Sequence, residues 1–174
     1  MLSPSISGSF IDLYELTMGE TYFLEGRKDA PANFDYFFRK IPNGGGYVLF
    51  AGLHDLLDVL ETFHFTDADI TFFRKLHFRP SYIDFLRDFQ FRGSIYSVSE
   101  GEVVFPICPL LRVEGTLFET QLVETLLLNL LNFESLIATK ASRMRHVAGN
   151  RLLSDFGLRR AHGPGVVLAV PGPR

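Results

Sequence analysis

A chain of 174 residues, 47% hydrophobic and 21% charged, is long enough to bury a real core and short enough to hold one domain plus the start of a second. A formal net charge of −3, with no basic tail or charge block, leaves no electrostatic case for nucleic acid or an acidic membrane surface as a partner. The single cysteine, Cys108, permits no internal disulfide, and no positive-apolar-small leader pattern opens the chain, so the expected compartment is cytoplasmic.

Asp12 to Glu25 has helical spacing, with Leu13, Leu16, Tyr22 and Phe23 expected along a buried stripe and Gly26 as the stop. Ala32 to Lys40 reads as extended and runs into the loop Ile41-Pro42-Asn43-Gly44-Gly45-Gly46. The triple glycine lacks the endings and spacings of nucleotide-binding loops and reads as a turn. Tyr47 to Ala51 is expected as a short strand, and Gly52 to Thr62 as a helix with Leu53, Leu56, Leu57 and Leu60 on one side. Thr66 and Asp69 offer an N-cap for a helix through Leu76, and Pro80 opens another that reaches Phe89. His54, His64 and His77 show no repeated ligand spacing, so they are read as structural and no metal site is expected.

Gly93–Ser99, Glu102–Phe105 and Leu110–Glu114 read as three short strands of a meander, the first turn being Glu100-Gly101. Pro106 and Pro109 confine their stretch to an edge or loop, and Cys108 between Ile107 and Pro109 is read as a buried inert thiol. Thr116-Leu-Phe-Glu119 has the capping-box pattern and opens a helix to Leu131 that is apolar around most of its surface, suited to a subunit or interdomain contact as well as a core. Its uncharged run, Leu126 to Phe133, is far shorter than the roughly 20 residues a membrane-spanning helix needs. The 18 phenylalanines, with no tryptophan, fall mostly in periodic segments and read as core.

A second helix is expected from Glu134 to Gly149. Lys140 and Arg143, three residues apart on one face, are either solvated or two donors aimed at phosphates. Leu152 to Phe156 reads as a buried strand, and the run Asp155-Phe156-Gly157-Leu158-Arg159-Arg160-Ala161 stands at its C-terminal end, where α/β folds place ligands. Two guanidinium groups suit a carboxylate or phosphate, Phe156 a flat ring, and Gly157 close approach of backbone. An ordinary surface turn with two solvated arginines is the alternative.

Six motifs in order carry a family resemblance: Asp12-Leu13-Tyr14-Glu15-Leu16-Thr17-Met18, Phe37-Phe38-Arg39-Lys40-Ile41-Pro42, Glu100-Gly101 with Val104-Phe105-Pro106, Glu124 with Leu128-Asn129, Ile137-Ala138-Thr139-Lys140-Ala141-x-Arg143, and Asp155 to Ala161. Together they resemble nicotinate phosphoribosyltransferase over residues from about 10 to 163. The resemblance implies a type II phosphoribosyltransferase: an N-terminal α+β domain over residues 1–131, the start and first strand of an incomplete α/β barrel over 132–164, and a divergent tail over 165–174. It implies the joining of nicotinate and 5-phosphoribosyl 1-diphosphate into nicotinate mononucleotide for NAD salvage, with ATP and Mg2+ as cofactors and a homodimer that shares active sites. By motif, Phe156 stacks on one face of the pyridine ring and Tyr14 of the neighbouring subunit on the other. Arg159 holds the nicotinate carboxylate or an adjacent phosphate, and Arg39 and Lys140 are candidates for the phosphoribosyl group. No catalytic residue is assigned within the chain.

After Pro164 the sequence departs from the family pattern, and its later phosphate-binding loops and ATP-phosphorylated histidine have no counterpart here; His162 lies in the wrong motif. The expectation is a chain inactive by itself, through a frameshift, an early stop or an alternative or short form. The other readings are a non-catalytic piece that pairs with an intact subunit, and a nicotinamide or quinolinate phosphoribosyltransferase relative.

Overall fold

The computed structural model describes residues 6–157. Helix α1 (Leu13–Leu24) leads into strand β1 (Pro31–Tyr36), a 3-10 turn at Pro42–Gly44 and the short strand β2 (Val48–Leu49). Three helices follow, α2 (Leu53–Thr62), α3 (Asp67–Lys75) and α4 (Pro80–Arg87), then β3 (Ser94–Ser97), β4 (Val103–Val104) and β5 (Leu111–Thr116), and last α5 (Leu117–Leu122) and α6 (Glu124–Ala148).

Helix starts follow local chemistry. Thr66 and Asp69 form a reciprocal box at α3: Asp69 N–H donates to Thr66 Oγ1 at 3.2 Å and Thr66 N–H to Asp69 Oδ2 at 2.8 Å. Thr116 and Glu119 repeat it at α5, with N–H donations of 3.1 and 3.2 Å. Pro80 opens α4, where a missing N–H costs no hydrogen bond. Helix α2 starts differently: Gly52, at φ 99°, has no capping side chain, and Glu100 Oε1 from the distant β3–β4 turn accepts Gly52 N–H at 2.6 Å and Leu53 N–H at 2.7 Å.

The strands do not form the expected meander. β5 lies between β1 and β3, antiparallel to both, with Phe34, Val113 and Ile95 in register across the sheet. β4 leaves that sheet and pairs with β2, Val48 opposite Val104. Pro106 and Pro109 bar it from extending toward β5, while Phe50 N–H donates to Glu102 O at 3.0 Å and Gly101 N–H to Phe50 O at 2.9 Å, drawing it to β2.

The expected helix break after Leu131 is also absent. The chain breaks earlier, at Val123, where Thr125 N–H goes to Glu15 of α1; α6 then runs unbroken for 25 residues, about 37 Å. Its Ser135, Thr139 and Ser142 line one face and finish the edge of β2. Thr139 Oγ1 accepts Leu49 N–H at 2.8 Å, Ser135 Oγ accepts Ala51 N–H at 3.1 Å, and the Ser142 and Tyr47 hydroxyls meet at 2.8 Å.

Phenylalanines build the core as expected. Phe63, Phe65, Phe73, Phe78, Tyr82, Phe85, Phe89 and Phe118 form a continuous set of edge-to-face contacts with one stacked pair, Tyr82 on Phe85, and centroids between 5.0 and 6.3 Å. Gly19 lets α1 onto this cluster, since a Cβ there would stand 2.6 Å from both the Phe118 ring and the Tyr82 hydroxyl.

Three expectations fail on burial. Leu13 is exposed, because Leu16 and Gly19 define the buried side of α1. Cys108 is exposed, carried on a loop in which Ile107 adopts φ 65° and projects into solvent. Leu152 to Phe156 forms no strand and is exposed: among the described residues no neighbouring strand supplies a ladder for it.

Candidate functional site

Tyr14 occupies the first turn of α1, 43% exposed, and the next residue, Glu15, is 1% exposed. Glu15 Oε1 accepts Thr125 N–H at 2.8 Å and Oε2 accepts Asp12 N–H at 3.1 Å. Asp12 Oδ2 in turn accepts the Thr125 hydroxyl at 3.1 Å. The first turn of α1 is thus stitched to the first turn of α6. Burial pushes Glu15 up to about 7 against those two N–H groups, which favour its charged form. Partial burial and the neighbouring Glu124 carboxylate push the Tyr14 phenol up to about 12, so it is a neutral hydrogen-bond donor under ordinary conditions.

Lys140 and Arg143 lie further along α6 and do not act as a pair. Arg143 is half-buried, with Nη2 donating to Tyr47 O at 3.2 Å and the guanidinium 5.6 Å from the Tyr47 ring centroid. Lys140 is exposed and makes no hydrogen bond or ion pair among the described residues. Arg39, in the loop after β1, is likewise exposed and unpaired among them. Phe156 is 82% exposed; beside it Gly157 N–H donates to Asp155 Oδ1 at 2.7 Å, a local turn that leaves the ring without packing partners among the described residues. Arg159 lies outside the described residues, so the arginine pair contributes no geometry.

Tyr14 and Lys140 stand well apart within one chain. Tyr14 stands at the start of α6, beside Glu124, and Lys140 is 16 residues further on, about 24 Å along the axis.

A second acidic cluster was not legible in the sequence. Glu134 of α6 is 6% exposed, its Cδ packed on Gly52, and burial together with Asp55 and Glu100 holds its carboxyl well above the usual carboxylate range. These groups are committed to structure: Glu100 caps α2, and Glu134 keeps its proton beside Asp55. Among the described residues no group of three or more His, Cys, Asp or Glu is arranged to hold a metal ion. Beside the turn at Pro42–Gly44, the Arg143 guanidinium closes over Gly45. No residue of the described part is assigned to Mg2+ or ATP. No helix among the described residues is long and apolar enough to cross a membrane; α6 has the length but carries charges along it.

These carboxylates differed in what the sequence showed of them. Glu15 carried a signal, the Asp12-x-x-Glu15 box at a helix start. Glu134 and Glu100 carried none, because only the fold brings residues 52, 100 and 134 together.

Residues 10–132 match the family model described as the nicotinate phosphoribosyltransferase (NAPRTase) N-terminal domain. The nicotinate phosphoribosyltransferase of Bacillus subtilis is 46% identical over 152 residues, which are 87% of this chain and 31% of that protein. Nicotinate phosphoribosyltransferase 1 of Arabidopsis thaliana is 43% identical over 166 residues, 93% of this chain and 30% of that one. Among solved structures, human nicotinic acid phosphoribosyltransferase superposes with a TM-score of 0.81 at 40% identity, covering 91% of this chain and 33% of its own. A nicotinate-nucleotide pyrophosphorylase from Pyrococcus furiosus shares the fold, with a TM-score of 0.70 at 22% identity over 93% of this chain and 34% of its own. The chain spans about a third of the length of the relatives it matches. With motifs, family model and fold in agreement, the chain belongs to the nicotinate phosphoribosyltransferase family and carries its N-terminal domain.

Proposed function

We propose that this chain is the N-terminal portion of an enzyme that joins nicotinate and 5-phosphoribosyl 1-diphosphate, giving nicotinate mononucleotide and diphosphate in NAD salvage. ATP and Mg2+ belong to the whole-protein reaction, and no step is assigned to them within this chain. Transfer at the anomeric carbon needs a positioned ring and stabilised phosphate charge rather than a protein nucleophile on the sugar. Tyr14 and Phe156 are the ring contacts in this reading, Arg159 the carboxylate or phosphate contact, and Arg39 and Lys140 the phosphoribosyl contacts.

The observation that carries the reading is the placement of Tyr14. It is exposed at one end of α6, while Lys140 lies about 24 Å along that helix, so a single copy leaves the ring contact away from Lys140. A homodimer in which Tyr14 completes the partner's pocket reconciles the two. Leu13, Tyr14, Met18 and Leu128 are exposed at that end and suit a subunit contact. The same face favours a second reading, in which this chain pairs with an intact subunit and lends it Tyr14 without catalysing anything itself.

Purified chain incubated with nicotinate, 5-phosphoribosyl 1-diphosphate, ATP and Mg2+ is expected to release no nicotinate mononucleotide; turnover would sink the expectation that it is inactive alone. Co-purification with a full-length family enzyme is expected, and is to be lost when Leu13 and Leu128 are both changed to Asp. Equal affinity for nicotinate and nicotinamide in the reconstituted pair would remove the carboxylate role from Arg159.

A further inference from the structure

We infer that Glu15 is a positioning residue for Tyr14: by bridging the backbones of Asp12 and Thr125 it fixes the first turn of α1 against α6 and so sets where the Tyr14 side chain stands beside Glu124. The inference rests on the reading of Tyr14 as a ring contact but is tested without it.

Tyr14 and Glu15 are adjacent on a helix, about 100° apart around its axis, so whatever fixes one fixes the direction of the other. Beside Glu15, Asp12 Oδ2 accepts the Thr125 hydroxyl at 3.1 Å, a side-chain tie; further along, the Tyr82 hydroxyl donates to Leu16 O at 3.0 Å and Gly19 packs on Phe118. At the first turn, Glu15 makes the tie to the backbone of α6, at Thr125. Thr125 directly follows Glu124, the carboxylate beside the Tyr14 phenol. One dipeptide therefore both receives Glu15 and faces Tyr14. Burying a carboxylate to 1% exposure is costly, and a first turn that only needed covering is served by an apolar residue at that position. The titratable groups facing Glu15 are Asp12 at the N-cap of its own helix, the neighbouring Tyr14, and Glu124 on α6.

The test uses the 174-residue chain labelled at the tyrosine ζ-carbon, with Tyr14→Phe assigning the Tyr14 resonance. As Glu15 titrates at about 7, the Thr125 amide proton and the Tyr14 ring resonance are expected to move together in one transition. Glu15→Asp keeps the charge but is one methylene short of Thr125 N–H, and it is expected to shift the Tyr14 resonance and abolish its response to Glu124→Gln. Glu15→Gln keeps the reach and one acceptor, and is expected to shift it less. A Tyr14 resonance unmoved by Glu15→Asp but moved by Glu15→Gln would show that Glu15 acts through its charge, and would overturn the inference. If Glu15→Asp does not fold, the native titration decides: a Thr125 amide that stays still, or one that moves while Tyr14 does not, overturns it. Nicotinate binding is a separate measurement; its failure beside a coupled titration would remove the ring-contact reading and leave the positioning intact.

Discussion

Glu134 shows how one side chain links packing to pH. Its carboxyl, pressed on Gly52 and beside Asp55 and Glu100, holds its proton in the folded chain above the pH at which an exposed glutamate loses it. Glu15, pushed up to about 7, behaves likewise. A raised carboxyl makes the folded state bind more protons than the unfolded one. Its contribution is fully present below the ordinary glutamate value and is lost as pH rises through the raised one. Urea unfolding is therefore expected to show stability falling between about pH 5 and 8, by several kcal/mol in order of magnitude. Glu134→Gln is expected to flatten part of that slope and to raise the urea midpoint at about pH 8 with little effect at about pH 5. Destabilisation by Glu134→Gln at the higher pH would mean that the carboxylate is ionised there and needed.

Elements were legible where the signal was local. The boxes Thr66/Asp69 and Thr116/Glu119 are complete within four residues, and both helices start where the sequence puts them. Thr116→Ala is expected to cost about 1 kcal/mol by urea or thermal unfolding, and a loss below a few tenths would mean that Glu119 is held instead by Arg92 N–H, which it accepts at 2.9 Å. Signals that depend on distant partners were not legible. The break at Val123 needs Glu15, more than a hundred residues earlier in the chain, to take the Thr125 N–H. The departure of β4 from the meander needs Phe50 as its partner, and the start of α2 borrows its cap from Glu100. Leu152–Phe156 has the composition of a strand, but a strand without a ladder is not one.

On the scale of the whole molecule, the aromatic cluster is where α1, α4 and α5 meet. Phe118 touches the rings of Tyr82, Phe85 and Phe89 and also fills the space that Gly19 leaves. Phe118→Ala is expected to cost about 3–5 kcal/mol, a large share of the roughly 5–15 kcal/mol that holds a domain together. Near-native unfolding of that variant by urea would mean the ring network is redundant. The site was legible at this scale only as a set of residue types in family order. That Tyr14 and Lys140 stand about 24 Å apart along α6 is a property of helix rise and of the α1–α6 stitch, and no spacing in the sequence encodes it.

The solvent-facing segment after α6 makes the chain easy prey for proteases. Residues 152–157 lack regular structure, and Leu152 and Phe156 are each 82% exposed. Sparing chymotrypsin digestion is therefore expected to clip at Phe156 and at Leu152 or Leu153 well before the phenylalanines of the core are reached. The product would be a resistant body ending near Arg151, whose carbonyl Arg145 Nη1 holds at 2.9 Å. Protection of Phe156 on mixing with a full-length family enzyme would then report directly that a second polypeptide had covered it.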